Sequence, residues 1–365
     1  MHKLNLCTVR KILDVLSSAR HPNNLQTMLN SNNLGEIVRN TQNLSWEFSH
    51  TVKRSQSVMD QKKTGRCWIF AGMNCLRHEI CTDLNMDDFE FSAAYVQFFD
   101  KLEKANNFLN IIEKLASHDL DGAYMRHVLA DDNLCQDGGT WNMFVQLVKK
   151  YGIVPKYAME DTFQACNTWQ MNSLLRKVLK KAVKDIRAHA THSKRSRVKL
   201  AALLDVMKIL HACIGLPPLD FDFVYADKDK EHHKIGTITP SFFYNTFCRD
   251  LQDTVVLSHF PNLPFGMRYA VQFQDPIGVG YYHNVEIEKL ILAAAAQICD
   301  GFPVWFASET AMMDTEKGHM VSGLRDCDSI FEINTSMTKS EQLEYGGAKV
   351  KHAMTLVGVD IQDDE

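Results

Sequence analysis

Apolar residues recur at three- and four-residue intervals through FSAAYVQFFDKLEKANNFLNIIEKL (91–115), which predicts a long helix with Ser92 capping it ahead of Ala93. The preceding stretch, CWIFAGMNCLRHEI (67–80), has nine apolar residues of fourteen and covers most of a helical circumference, so a buried helix is expected. A Gly-rich break, DGGT at 137–140, precedes a third helical pattern, WNMFVQLVKKYG, which closes at Gly152 with Pro155 beyond it. Residues 167–211 are strongly helical and basic. After Pro217-Pro218 the pattern changes: FDFVY, PVWF, FEINT and AMTLVGV, divided by Gly, Pro and Asp, read as mainly strand. At the other end, a short amphipathic helix around 8–18 is followed by an Asn-rich stretch up to residue 46, expected to be loosely structured. A helical half followed by a β-rich half predicts an α+β fold with an active-site cleft between two subdomains.

Composition narrows the function. A chain of 365 residues has room for one large domain or two to three packed subdomains. Its formal net charge of −4 gives no general reason for a polyanion partner. The N-terminal residues interrupt their apolar positions with Lys3, Arg10, Lys11 and Asp14, unlike a secretory signal, and the apolar run LILAAAAQIC (290–299) is too short to span a bilayer, so no membrane role is expected. The ten cysteines form no CxxC pair, and free thiols in a reducing cytoplasm are the expectation.

One cysteine stands in a different setting. Cys67 follows Gly65-Arg66 and opens the buried helix, where the positive end of the helix dipole favours a thiolate and Gly65 allows a sharp entry turn. Attack by a thiolate on a carbonyl creates an oxyanion that needs donors. The amide of Gln61, six residues upstream, and the Cys67 backbone N–H are the candidates.

The set Gln61…Gly65-Arg66-Cys67-Trp68 resembles the active-site loop of papain-like cysteine peptidases, and GRCWIF resembles the bleomycin hydrolase and bacterial aminopeptidase C branch of them. DGGTWNM (137–143), VKKYGIVPK (148–156), YADKDKEHHKIGTITPSFFY (225–244), DGFPVWF (300–306) and KHAMTLVGVD (351–360) extend the likeness in order from about residue 46 to 361. The resemblance implies a papain-like fold: a poorly matched segment 1–45, a helical catalytic subdomain 46–159, a mainly helical basic insertion 160–235 and a β-rich subdomain 236–365. It implies Cys67 as nucleophile, His352 of the HAMT segment as base, and Gln61 in the oxyanion hole. Gly138, Gly139 and Trp68 are implied as substrate-binding residues. Peptide substrates, a homo-oligomer (a hexamer in the family) and no cofactor or metal follow from it.

The family's asparagine, in an Asn-Ser-Trp motif beyond the histidine, has no counterpart in AMTLVGVDIQDDE, nor has the family's C-terminal tail. Weak or absent peptidase activity is therefore the expectation. A second reading is an inactive family scaffold that binds DNA or RNA. It rests on Arg176, Lys177, Lys180, Lys181, Lys184, Arg187, Lys194, Arg195, Arg197 and Lys199 against the single acid Asp185, as some family members bind DNA through a basic channel. A metal enzyme is the weakest reading, because His78-Glu79, His189 with His192, and His232-His233 bring no third ligand at a recognisable spacing.

Overall fold

The computed structural model describes residues 4–18, 23–39, 47–52, 57–116, 125, 129–130, 134–251, 253–270, 280–310, 313–314, 319–320, 325–347 and 349–362. The chain divides into two compact units, Met1–Trp46 with Glu309–Thr338, and Glu47–Ser308 with Lys339–Glu365. The second unit contains both Cys67 and His352.

In the first unit, α1 (Leu6–Ser18) is the expected amphipathic helix. Within residues 23–39 the Asn-rich stretch is more ordered than expected, carrying α2 (Asn23–Ser31) and the short α3 (Leu34–Ile37), while its part at 40–46 lies outside the described residues. Asparagine still acts at an end: the Asn33 side chain accepts the Gly35 N–H at 2.8 Å and starts α3.

The second unit begins with β1 (His50–Thr51) and is built on α4 (Cys67–Asp83) and α5 (Ala93–Leu115). Helix α4 buries Trp68, Ile69, Met73, Leu76 and Ile80, as an all-round apolar pattern requires. The Ser92 hydroxyl accepts the Tyr95 N–H at 3.1 Å and caps α5. After α6 (Trp141–Tyr151), Gly152 at φ 75° provides the left-handed exit. A single turn, α7 (Phe163–Cys166), leads to α8 (Trp169–Arg187) and α9 (His192–Ile214), which pack on each other and on α5.

The later half contains more helix than the sequence pattern predicts. The hairpin β2 (Phe221–Ala226) and β3 (His232–Ile238) carries a bulge between Phe223 and Val224, and Phe223 meets Phe243 of α10 (Pro240–Phe247) edge to face at 4.8 Å. Strand β6 (Tyr281–Asn284) lies between β4 (Leu257–Ser258), parallel to it, and β5 (Arg268–Ala270), antiparallel. The run LILAAAAQIC lies in α11 (Ile287–Cys299); its four alanines favour helix over strand. Among the described residues, no helix is long and apolar enough to cross a membrane.

Strand β7 (Val304–Ser308) pairs antiparallel with the strand from His352 to Leu356, placing His352 opposite Ser308. Between them in sequence lie β8 (Met313–Asp314), β9 (His319–Met320), α12 (Cys327–Phe331) and α13 (Lys339–Glu344). The His352–Leu356 strand is therefore β10, and β11 (Gly358–Val359) follows it to pair with β1. Two side chains fix this pair of strands to α4: the Trp305 indole donates to the Trp68 carbonyl at 3.2 Å, and the Thr355 hydroxyl donates to the Ala71 carbonyl at 3.3 Å.

Candidate active site

The loop ahead of α4 is held by its own side chains. Lys62 takes a left-handed conformation (φ 57°), supported by Asp60, whose carboxylate accepts the Lys62 N–H at 2.7 Å. The Thr64 hydroxyl donates to the Gln61 carbonyl at 2.7 Å, and Gln61 Nε2 donates to the Thr64 carbonyl at 2.9 Å. An amide nitrogen carries two hydrogens, so Gln61 keeps one for another acceptor.

Arg66 is the anchor of the loop. Its side chain is 1% exposed and forms a two-pronged pair with Asp161 at 2.8 and 3.2 Å. It also donates to Gln97 Oε1 at 3.0 Å and to the Thr64 hydroxyl at 3.2 Å, and lies over the Phe70 ring. This clamp fixes the position immediately before the cysteine.

Cys67 is the first residue of α4, with no side-chain cap ahead of it. The Ala353 N–H on β10 donates to Cys67 Sγ at 3.2 Å. Ala353 directly follows His352, so the sulfur lies against the strand that carries the histidine. Among the described residues, none hydrogen-bonds the His352 ring. Burial pushes the Cys67 thiol above its ordinary value, and the N–H groups of Ala353, Trp68 and Cys67 offset only part of this. The helix start and the surrounding N–H groups thus favour a thiolate without outweighing burial.

Gly138 and Gly139 differ in what they do. A Cβ on Gly139 would fall 2.4 Å from the Trp68 ring, whereas one on Gly138 would meet nothing within 4 Å. Gly139 is thus demanded by the packing of Trp68, whose indole donates to the Asp137 carbonyl at 2.7 Å. Gly138 is exposed, and its carbonyl accepts Lys104 Nζ at 2.6 Å. Gly139→Ala is expected to destabilise the fold by about 1–3 kcal/mol, while Gly138→Ala melts like the parent. Thermal denaturation of both variants separates the two roles, and equal melting temperatures would contradict this assignment.

Gly65 is also explained by packing. It is not among the positive-φ residues, and a Cβ there would lie 2.8 Å from Asp137 Cβ. Close approach of Asp137, not a left-handed entry turn, requires the glycine. Asp137, Lys101 and Asp161 were not singled out by the pattern. A signal did exist for Lys101: positions 97, 100, 101 and 104 of α5 are all polar at helical spacing, and Gln97, Asp100 and Lys101 are buried.

Of the basic segment, Lys177, Lys180, Lys181, Lys184 and Arg187 are exposed on α8. Two others are tied down: Arg195 Nε donates to the His189 carbonyl at 2.8 Å, and Lys199 pairs with Asn110 and Glu113. Among the described residues, no cluster of three or more His, Cys, Asp or Glu side chains is arranged to hold a metal ion.

Comparison with known proteins bears on the family and the fold. The profile of the Peptidase C1-like family matches residues 7–365. Aminopeptidase C of Listeria monocytogenes is 38% identical over 330 residues, covering 87% of this chain and 73% of that protein. Human bleomycin hydrolase is 32% identical over 336 residues, with the same 87% and 73% coverage. The crystal structure of PepW from Lactobacillus rhamnosis HN001 superposes with a TM-score of 0.90 at 30% identity, over 100% of this chain and 84% of that one. The resemblance seen in GRCWIF and KHAMTLVGVD is borne out, and the fold is the papain-like α+β fold.

Proposed function

We propose, on the premise that this chain belongs to the Peptidase C1-like family, that it is a cysteine-type aminopeptidase of the bleomycin hydrolase kind, acting on peptides and small amides. The observation that carries this reading is the Cys67 sulfur at the start of a buried helix, 3.2 Å from the backbone N–H next to His352.

In this reading, His352 takes the Cys67 proton, and the thiolate forms a C–S bond to the substrate carbonyl carbon as the carbonyl π pair moves onto oxygen. The Cys67 N–H and the spare hydrogen of Gln61 stabilise that oxyanion. Collapse breaks the C–N bond, and His352 protonates the departing amine. His352 then deprotonates water, which attacks the thioester and releases the acid and the thiolate. Gly138 presents its backbone to the substrate, and Trp68 backs the loop. Free cysteines throughout support a reducing, cytoplasmic setting, and a homo-oligomer belongs to the same reading.

With no described residue orienting the His352 ring, turnover by these 365 residues is expected to be low. The exposed lysines of α8 support the rival reading, an inactive scaffold that binds nucleic acid. Hydrolysis of aminoacyl coumarylamides by the purified chain and its Cys67→Ala variant decides between them. Slow release of coumarin that disappears in the variant is expected. Release that persists in the variant contradicts the cysteine mechanism, and no release from either protein favours the scaffold.

A further inference from the structure

The Asp137 carboxylate has no part in the chemistry just described, yet Asp137 ties α5 and the start of α8 to the chain on either side of Cys67. Its Oδ1 accepts Lys101 Nζ at 2.6 Å and Asn172 Nδ2 at 2.8 Å. Its Oδ2 accepts the Thr168 hydroxyl at 2.5 Å and the Gly65 N–H at 3.2 Å. Its backbone carbonyl accepts the Trp68 indole at 2.7 Å. One residue therefore grips the chain on both sides of Cys67, at Gly65 before it and at Trp68 after it, and leads directly into Gly138-Gly139. The glycine at 65 leaves room for this contact, since any Cβ there would collide with Asp137.

We infer that Asp137 is a positioning residue, which locks the loop carrying Cys67 to the glycine loop facing the substrate so that sulfur and substrate backbone stay in register. The inference rests on reading Cys67 as the nucleophile. Helix α5 contributes the charged groups around it: Lys101 directly, with Asp100 and Lys104 behind. Helix α8 and the turn before it contribute the neutral Asn172 and Thr168. Burial alone would raise the Asp137 carboxyl, but the Lys101 charge and the bonds from Lys101, Thr168 and Asn172 hold it well below the usual carboxylate range. A group lowered in this way stays ionised at every pH above its ordinary value of about 3.9, so the clamp is complete across neutral pH and does not itself titrate there.

Both edges of the carboxylate face donors, which makes Asp137→Asn informative. The new NH2 cannot face the Lys101 ammonium, whereas Thr168 can turn its hydroxyl to accept. The NH2 therefore takes the Thr168 side, and the Gly65 N–H loses its acceptor. Gly65→Ala disturbs the same contact from the other partner while leaving every charge in place.

The test is iodoacetamide labelling of Cys67 in the full chain against pH, read by mass spectrometry with the exposed Cys7 as internal reference, at a temperature where each variant is fully folded by circular dichroism. Both variants are expected to label Cys67 about tenfold more slowly at pH 7, with the midpoint moved upward and Cys7 unchanged. A role confined to stability would lower melting temperatures and leave the midpoint in place. If the parent Cys67 is fast and the variants match it, positioning by Asp137 is overturned and the nucleophile reading survives. If the parent Cys67 is no faster than Cys7, both fall together. Should Asp137→Asn not fold, Gly65→Ala decides alone.

Discussion

Replacing His352 with alanine is expected to slow alkylation of Cys67 at pH 6 by about 10²–10³-fold. The direction follows from the surroundings of the sulfur. Burial raises the thiol, and the N–H groups of Ala353, Trp68 and Cys67 only partly oppose it. Without an imidazolium, the thiolate is a minute fraction at pH 6 and grows with each unit of pH above it. In the proposed mechanism the positive charge of a His352 imidazolium opposes burial and brings the thiolate to lower pH. The two proteins should therefore converge in strongly alkaline solution, where both are thiolates. Equal rates at pH 6 would mean that His352 does not act on Cys67.

Asp161→Ala should cost about 3–5 kcal/mol of unfolding free energy, near the lower end because Asp161 is 24% exposed while Arg66 is 1% exposed. The loss comes from what remains: a guanidinium buried with Gln97, the Thr64 hydroxyl and the weakly accepting Cys166 sulfur in place of a carboxylate. Removing both charges, as in Arg66→Leu with Asp161→Ala, should recover much of that stability, because the uncompensated charge is gone. Urea titrations of parent, single and double variants measure this. A single variant as stable as the parent would show that Arg66 finds another partner and that the pair is not the anchor of the loop.

The parts legible in the sequence were those with a local signature. Cys67 is marked by a glycine, an upstream Gln61 and an all-round apolar helix, and Ser92 and Gly152 mark helix ends by their own chemistry. The register that brings Ala353 against Cys67 has no local signature. It depends on β10 pairing with β7 across 43 residues and on both strands resting against α4 through Trp305 and Thr355. The roles of Gly65 and Gly139 were equally hidden, since each glycine is required by a side chain far away in sequence, Asp137 in one case and Trp68 in the other. The α5 stripe was legible in spacing alone, but polar residues at helical intervals ordinarily mark a solvated face. Here they face inward because each has a partner: Arg66 for Gln97, Lys104 for Asp100, and Asp137 and the glycine-loop carbonyls for Lys101 and Lys104. The later half read as mainly strand because its short apolar runs suit either structure; α11 became helix through its alanines.

The most direct test of the central claim, that Cys67 is the activated thiol of a cysteine peptidase, is its alkylation rate from pH 5 to 9, compared by mass spectrometry with the other nine cysteines. Fast and selective labelling of Cys67 already at pH 5–6 is the expected result. Labelling of Cys67 that rises only near or above the ordinary thiol value of about 8.5 would contradict it.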